Sequence, residues 1–314
     1  MITRRDYLKL CAATGLTLAA SPRALLAADG PRSLITRAIP GTSESLPVVG
    51  LGSSASFSRI AGEGNVERVR EVLETFVREG GSVFDTAPSY GAAEDVAGQV
   101  VRENKLQDKL FWATKVNVAG RGGGKADPDQ ARAQIEQSMQ RLGKARMDLI
   151  QVHNLGDVPT QLGLLKQYRD EGRVRYIGVT TTFAGQYEEL ERIMRAEPLN
   201  FIGVDYAIDH RTMEERIFPL AQERGIGVLA YQPFGRSRLW QKVEGHTLPD
   251  WAAEYDIATW GQFFLKYAIS HPAVTVATPA TSQPRNVVDN LGAATGRLPD
   301  EAGRKRMFEH IQSL

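Results

Sequence analysis

The sequence predicts a single closed barrel of eight parallel strands alternating with helices, a (β/α)8 TIM barrel of the α/β class. Three observations carry that expectation. Eight short apolar runs recur along the chain, segments of helical period separate them, and no linker, repeat or low-complexity tract interrupts the rhythm. At 314 residues, 42% hydrophobic and 24% charged, the chain is long enough for one barrel and too apolar for a disordered polymer. An open doubly wound sheet is the alternative that the same alternation allows.

Taken in order, residues 33–49 read as an N-terminal β-hairpin. The strand candidates that follow are PVVGL (47–51), SVFDTA (82–87), LFWATKV (110–116), MDLIQVH (147–153), VRYIGVT (174–180), FIGVDY (201–206), GVLAY (227–231) and VTVAT (274–278). Apolar runs without strict alternation mark parallel strands buried on both faces. Between them, a helix over 67–79 stops at Gly80 and Gly81, and one over 158–171 stops at Gly172. Asp127 and Pro128 read as N-cap and first helical residue, with Ala131, Ile135, Met139 and Leu142 on one face and Gly143 as the stop. Thr212 with Glu215 fits a capping box. Residues 232–256 read as a long irregular functional loop after the seventh strand, and a short helix closes the chain.

The organisation expected is an export signal over 1–28 and the barrel over 29–314. Arg4 and Arg5 precede a mildly apolar stretch, 8–20, and a small-residue run ending at Ala28. Thirteen residues at ~1.5 Å each cover about 20 Å, too little for a bilayer core, and no other segment approaches ~18 uninterrupted apolar residues, so no membrane span is expected. The one cysteine, Cys11, falls inside this segment, which leaves the mature chain without a thiol for a disulfide or a nucleophile. A formal net charge of +1 with no long basic block argues against nucleic acid or an anionic membrane as main partner. His153, His210, His246, His271 and His310 are too widely spaced for a metal site, so no metal is expected. His210 beside Asp209 reads as a hydrogen-bonded loop pair. GLGSSA (50–55) fits the dinucleotide fingerprint only formally, since no acid ends a second strand about 20 residues on. GRGGGKA (120–126) lacks the first Gly and the Ser/Thr of a phosphate loop and reads as a flexible connection.

In such a barrel the functional site lies at the C-terminal ends of the strands. There the second strand delivers Asp85, the third Lys115 and the fourth His153, each after a strongly apolar run where an unpartnered polar group is costly. Tyr90 follows Asp85 by five residues, in the loop leaving the same strand. Three adjacent strands sending titratable groups to one rim point to a shared chemical role rather than three separate structural ones.

The stretch GSVFDTAPSYGAAEDVAG (81–98) resembles the aldo-keto reductase signature, and the resemblance continues through FWATKV, MDLIQVH, EGRVRYIGVT, GIGVLAYQPF and the segment 271–293. It implies that Asp85, Tyr90, Lys115 and His153 are the catalytic four. It further implies an NADP(H)- or NAD(H)-dependent reduction of an aldehyde or ketone, with a small carbonyl substrate. Tyr90 would donate the proton, with its pKa lowered by the Lys115 ammonium; Asp85 would hold Lys115 charged, and His153 would bond the substrate oxygen. By the same resemblance Tyr231 stacks on the nicotinamide, and Phe234, Gly235 and Arg236 follow the chain toward the pyrophosphate. Gly52 and Ser53 approach from the first strand. At the adenosine end Thr278, Pro279, Ala280 and Thr281 line the dinucleotide and Asn290 faces the adenine.

This chain departs from the family pattern in three places. The Ser-Asn pair after the fifth strand stands here as Thr180 and Thr181, and the Gln of the sixth strand as Gly203. The lysine that often meets a 2′-phosphate stands as Ala280, and the arginine position falls on Asn286, with Arg285 one residue earlier. NADP(H) is favoured, because Thr281 and Arg285 still supply a hydroxyl and a positive charge; NAD(H) stays open. A barrel that binds the dinucleotide as a redox sensor, or for a partner, with little turnover is the alternative function. TRRDYLK (3–9) resembles the twin-arginine export motif, which implies the Tat machinery as a partner and a periplasmic destination. Outside the cytoplasm no nicotinamide pool is expected, so the dinucleotide would be tightly retained or recycled by a redox partner.

Overall fold

The computed structural model describes residues 33–119 and 123–314. The export-signal reading of 1–28, with Cys11, and the first part of the 120–126 connection lie outside the described residues.

β1 (Thr36–Ala38) and β2 (Ser45–Pro47) pair antiparallel as the expected hairpin. The barrel strands are β3 (Leu51–Gly52), β4 (Val83–Asp85), β5 (Phe111–Val116), β6 (Met147–Val152), β7 (Val174–Thr181), β8 (Phe201–Asp205), β9 (Gly227–Tyr231) and β10 (Val276–Ala277). Each pairs in parallel with the next. Parallel bridges Val49↔Ala277 and Gly52↔Ala280 join the last strand to the first. At that seam Gly50 N–H donates to Ala277 O at 2.8 Å, and Ala277 N–H to Val48 O at 2.9 Å. The sheet is therefore closed, and the doubly wound alternative is excluded. The 47–51 run is not one strand: Pro47 ends the hairpin, the chain bends at Val48, Val49 bridges to Ala277, and the ladder itself is Leu51–Gly52.

Outside the strands lie α1 (Ser56–Gly62), α2 (Val66–Arg78), α3 (Ala93–Glu103), α4 (Pro128–Leu142), α5 (Val158–Asp170), α6 (Tyr187–Ala196), α7 (Ile217–Arg224), α8 (Arg238–Lys242), α9 (Trp260–Ile269), α10 (Pro284–Gly292) and α11 (Glu301–Ser313). The Asp127 carboxylate accepts from Asp129 N–H at 2.9 Å and Gln130 N–H at 3.3 Å, and Gly143 ends α4 at φ 67°. Both signals at the two ends of α4 thus act as read. Gly98 of the signature lets α3 approach α4: a Cβ there would lie 1.9 Å from Arg141 O.

Alternate residues of the strands feed two cores. Trp112 and Val116 face outward into the large layer between sheet and helices, while Val83, Phe111, Ala113, Leu149, Phe201, Leu229 and Val276 fill the barrel interior. Ile39 and Leu46 of the hairpin join the interior set, plugging its lower end. Above them, on the same inward faces, stand Asp85, Lys115 and Gln151.

Three local expectations are corrected. Thr212–Glu214 is a 3-10 turn without a side-chain cap, and α7 begins after Arg216. Its cause is Glu214, which accepts from Tyr206 OH at 2.5 Å and from Arg304 and Arg211 at 2.7 Å each, drawing the segment inward. His210 does not pair with Asp209: its Nε2 lies 3.2 Å from Asp205 and 3.0 Å from Tyr187 OH, while Asp209 binds Arg238. The 232–256 stretch is not irregular throughout, since it contains α8 and two 3-10 turns. Among the described residues no helix is long and apolar enough to cross a membrane.

Candidate active site

β4 and β5 run side by side with Asp85 opposite Ala113, which brings the Lys115 ammonium over the Asp85 carboxylate. Lys115 Nζ donates to Asp85 Oδ1 at 2.7 Å and Oδ2 at 2.9 Å, and to Thr86 O at 2.8 Å. Both partners are buried, Lys115 at 1% and Asp85 at 4% exposure, so each charge depends on the other. Tyr90 and Tyr231 flank the ammonium, which lies 5.2 Å from the centroid of either ring. His153 meets Tyr90 edge to face, with ring centroids 5.8 Å apart. The four side chains expected to act together are brought together at one mouth.

Tyr90 is held by its own local structure. The chain turns at Tyr90, whose carbonyl accepts Ala93 N–H, and enters α3 at once. Glu94, fully buried on the first turn of that helix, accepts from Thr114 Oγ1 at 2.6 Å and Ser138 Oγ at 3.0 Å. Thr114 precedes Lys115, so a buried carboxyl ties the Tyr90 turn to the strand that carries the ammonium.

Burial works against the charge on Lys115, but the Asp85 carboxylate and Tyr90 outweigh it and hold the ammonium above the usual lysine range. Burial pushes the Asp85 carboxyl up, opposed by Lys115 and by the Tyr231 hydroxyl. The Tyr90 phenol departs from expectation. Burial raises it above the ordinary tyrosine value, and the downward pull of Lys115 only partly offsets this. Its resting form at neutral pH is the protonated one.

Asp85, Tyr90, His153 and Tyr231 border a cavity of about 450 Å³, within the range of small-molecule sites, with Lys115 buried behind them. Of the residues expected at a dinucleotide, Gly52, Asp85, Thr180, Tyr231, Arg236 and Thr278 line it. Thr181 does not: its hydroxyl donates to Gln186 and accepts from Phe183 N–H. Phe234 packs on Trp240, and Gly235 abuts Asp209. Pro279, Ala280, Thr281 and Asn290 continue beyond the cavity along β10 and α10, where Arg285 and Asn286 stand exposed on the first turn. Ser53 and Thr278 keep buried hydroxyl oxygens with no protein partner, and Gly52 backs onto Thr278 O with no room for a Cβ. Unpaired polar atoms beside a close backbone approach fit a bound polar cofactor.

Sequence reasoning missed Ser54, Ala55, Asn154, Thr182, Gln232 and Ser237 on the cavity wall, each within two residues of an expected site residue. It also missed Gln151, whose Oε1 lies 3.1 Å from Tyr231 OH. The strand period of two was the available signal, since Gln151 precedes His153 by two. Among the described residues no group of three His, Cys, Asp or Glu side chains is placed to hold a metal ion.

Fold and cavity together define a barrel enzyme that sets a phenol beside a buried ammonium at the C-terminal mouth. Residues 48–305 match the profile of the aldo/keto reductase family. The chain is 24% identical over 290 residues to an aldo-keto reductase of Strobilurus tenacellus, covering 82% of this chain and 84% of that one. A probable aldo-keto reductase of Glycine max is 25% identical, with 76% and 78% covered. Among solved structures, an aldo-keto reductase from Klebsiella pneumoniae in complex with NADPH superposes with a TM-score of 0.71 at 24% identity, over 88% of this chain and 96% of that one. The chain belongs to the aldo/keto reductase family and is an oxidoreductase of that type.

Proposed function

We propose that the protein reduces an aldehyde or ketone to an alcohol with NADP(H), using Tyr90 as proton donor. The observation that carries this reading is the buried Lys115–Asp85 ion pair set beside Tyr90, with His153 against the same ring, and with Asp85, Tyr90 and His153 on the wall of one cavity. Family membership and the NADPH bound by the Klebsiella relative support the choice of dinucleotide. Gly52, Ser53, Thr180, Arg236 and Thr278 would hold it, and when bound it supplies the hydride.

The chain's own residues manage the proton. Tyr90 holds it on the phenol oxygen at neutral pH, as its raised pKa requires. The Lys115 ammonium stabilises the phenolate left when that proton passes to the developing alkoxide. Asp85 keeps the ammonium charged and aimed by taking two of its hydrogen bonds. His153 reaches the cavity beside Tyr90 and would orient the carbonyl oxygen.

A binding barrel with little turnover is the second reading. It is favoured by the engagement of Thr181 with Gln186 and by the missing side chain at Gly203, which together remove amide contacts. Mixing NADPH with the protein and then adding an aldehyde panel decides between them. Stoichiometric or faster loss of NADPH absorbance is the expected result; tight binding without oxidation supports the second reading instead.

We propose further that residues 1–28 direct export by the twin-arginine route, on the strength of TRRDYLK and the short apolar stretch behind it. Fractionation is expected to find the processed chain in the periplasm and the Arg4→Lys, Arg5→Lys double variant in the cytoplasm. Equal distribution of the two removes the proposal.

A further inference from the structure

Gly203 on β8 stands opposite Leu229 of β9, and the ring of Tyr231, two residues further along β9, folds back over it, so their relation is steric. A Cβ on Gly203 would lie 2.4 Å from Tyr231 Cε2, 2.6 Å from Cζ and 2.6 Å from the hydroxyl oxygen. No L side chain at 203 leaves the phenol where it is. The space that Gly203 vacates lets the ring lean inward, so that its hydroxyl lies 3.1 Å from Asp85 Oδ2 and 3.1 Å from Gln151 Oε1. The Gln151 amide is turned to present that oxygen, because its nitrogen donates to Val179 O at 3.4 Å. One phenolic proton is thus shared between two acceptors, one of them the carboxylate that holds Lys115.

We infer that Tyr231, admitted by the missing side chain at Gly203, is a positioning residue for the Asp85–Lys115 pair as well as a wall of the cofactor cavity. Without the hydroxyl, Lys115 is the one hydrogen-bonding protein partner left to Asp85 Oδ2 among the described residues. The titratable groups facing Asp85 are Lys115 on β5, Tyr90 in the loop after β4 and Tyr231 on β9, with His153, in the turn after β6, against Tyr90. Only Tyr231 both donates to the carboxylate and depends on a neighbouring glycine for its place. Burial and the Asp85 charge keep its phenol protonated, so it serves as a fixed donor.

The inference rests on the reductase reading for its kinetic arm and is independent of it in its spectroscopic arm. In Tyr231→Phe the ring remains and the donor goes. Fluorescence titration is expected to find NADPH affinity within about threefold of wild type, while kcat falls about tenfold and the acid limb of kcat/KM moves to higher pH. In dinucleotide-free protein carrying carboxyl-13C aspartate, the resonance absent from Asp85→Asn is expected to titrate at higher pH in Tyr231→Phe. Gly203→Ala, which keeps the hydroxyl but displaces the ring, is expected to move that resonance the same way. Coincident titrations and acid limbs in Tyr231→Phe and wild type overturn the inference. An undisturbed Asp85 resonance in Gly203→Ala overturns the steric part. If wild type oxidises no NADPH, the reductase reading fails and the carboxyl titrations still decide the role of Tyr231.

Discussion

Replacing Tyr90 by Phe is expected to lower carbonyl turnover by at least ~10²-fold, the lower bound for losing a positioned general acid. The variant deletes one oxygen and keeps the ring that meets His153 edge to face, so packing at the mouth is retained. The loss should therefore appear in kcat under saturating NADPH, with dinucleotide affinity and unfolding midpoint near those of wild type. Stopped-flow single turnovers isolate the chemical step from product release. A Tyr90→Phe enzyme with wild-type single-turnover rates would falsify the assignment of the proton to this phenol.

Lys115→Met is expected to abolish most turnover and also to weaken the fold. Its ammonium makes three hydrogen bonds in a buried site, two to Asp85 and one to Thr86 O. Removing it strands a carboxylate that is itself 4% exposed. Leaving one member of a buried pair alone costs about 3–5 kcal/mol. Asp85 then takes up a proton, since burial already pushes its carboxyl up and the opposing charge is gone. Denaturant unfolding of Lys115→Met should show this loss, and adding Asp85→Asn should recover part of it without recovering turnover. Recovery of turnover in the double variant would place the ammonium outside the proton path.

Much of the scaffold was legible because the physics that makes a parallel strand is local. A strand buried on both faces must be apolar throughout; seven of the runs contain a barrel strand, and the first, 47–51, is split between the hairpin, a bend at Val48 and the seam. α4 was readable at both ends because a capping carboxylate and a left-handed glycine act within a few residues. The Thr212–Glu215 reading failed for the opposite reason. Glu214 answers to Arg304, 90 residues away in the chain, and that pull outweighs the local capping preference. His210 failed similarly, since adjacent loop residues turned to different partners. At the site, Asp85, Lys115 and His153 were visible as strand-terminal polar groups, and Tyr90 by its distance from Asp85. The Tyr231–Asp85 contact spans 146 residues and depends on an absent side chain at 203, which no spacing rule registers. Tyr90's raised pKa was likewise out of reach, because the burial behind it comes from elements distant in the chain.

The packed barrel interior, closed below by Ile39 and Leu46 of the hairpin, leaves the Asp85–Lys115 end open on one side only. A molecule seated at the Asp85–Lys115 floor has one exit, and anything lying above it stands in the way. Two reactants stacked at that single mouth are expected to bind in order, the deeper one first, and product-inhibition patterns check this.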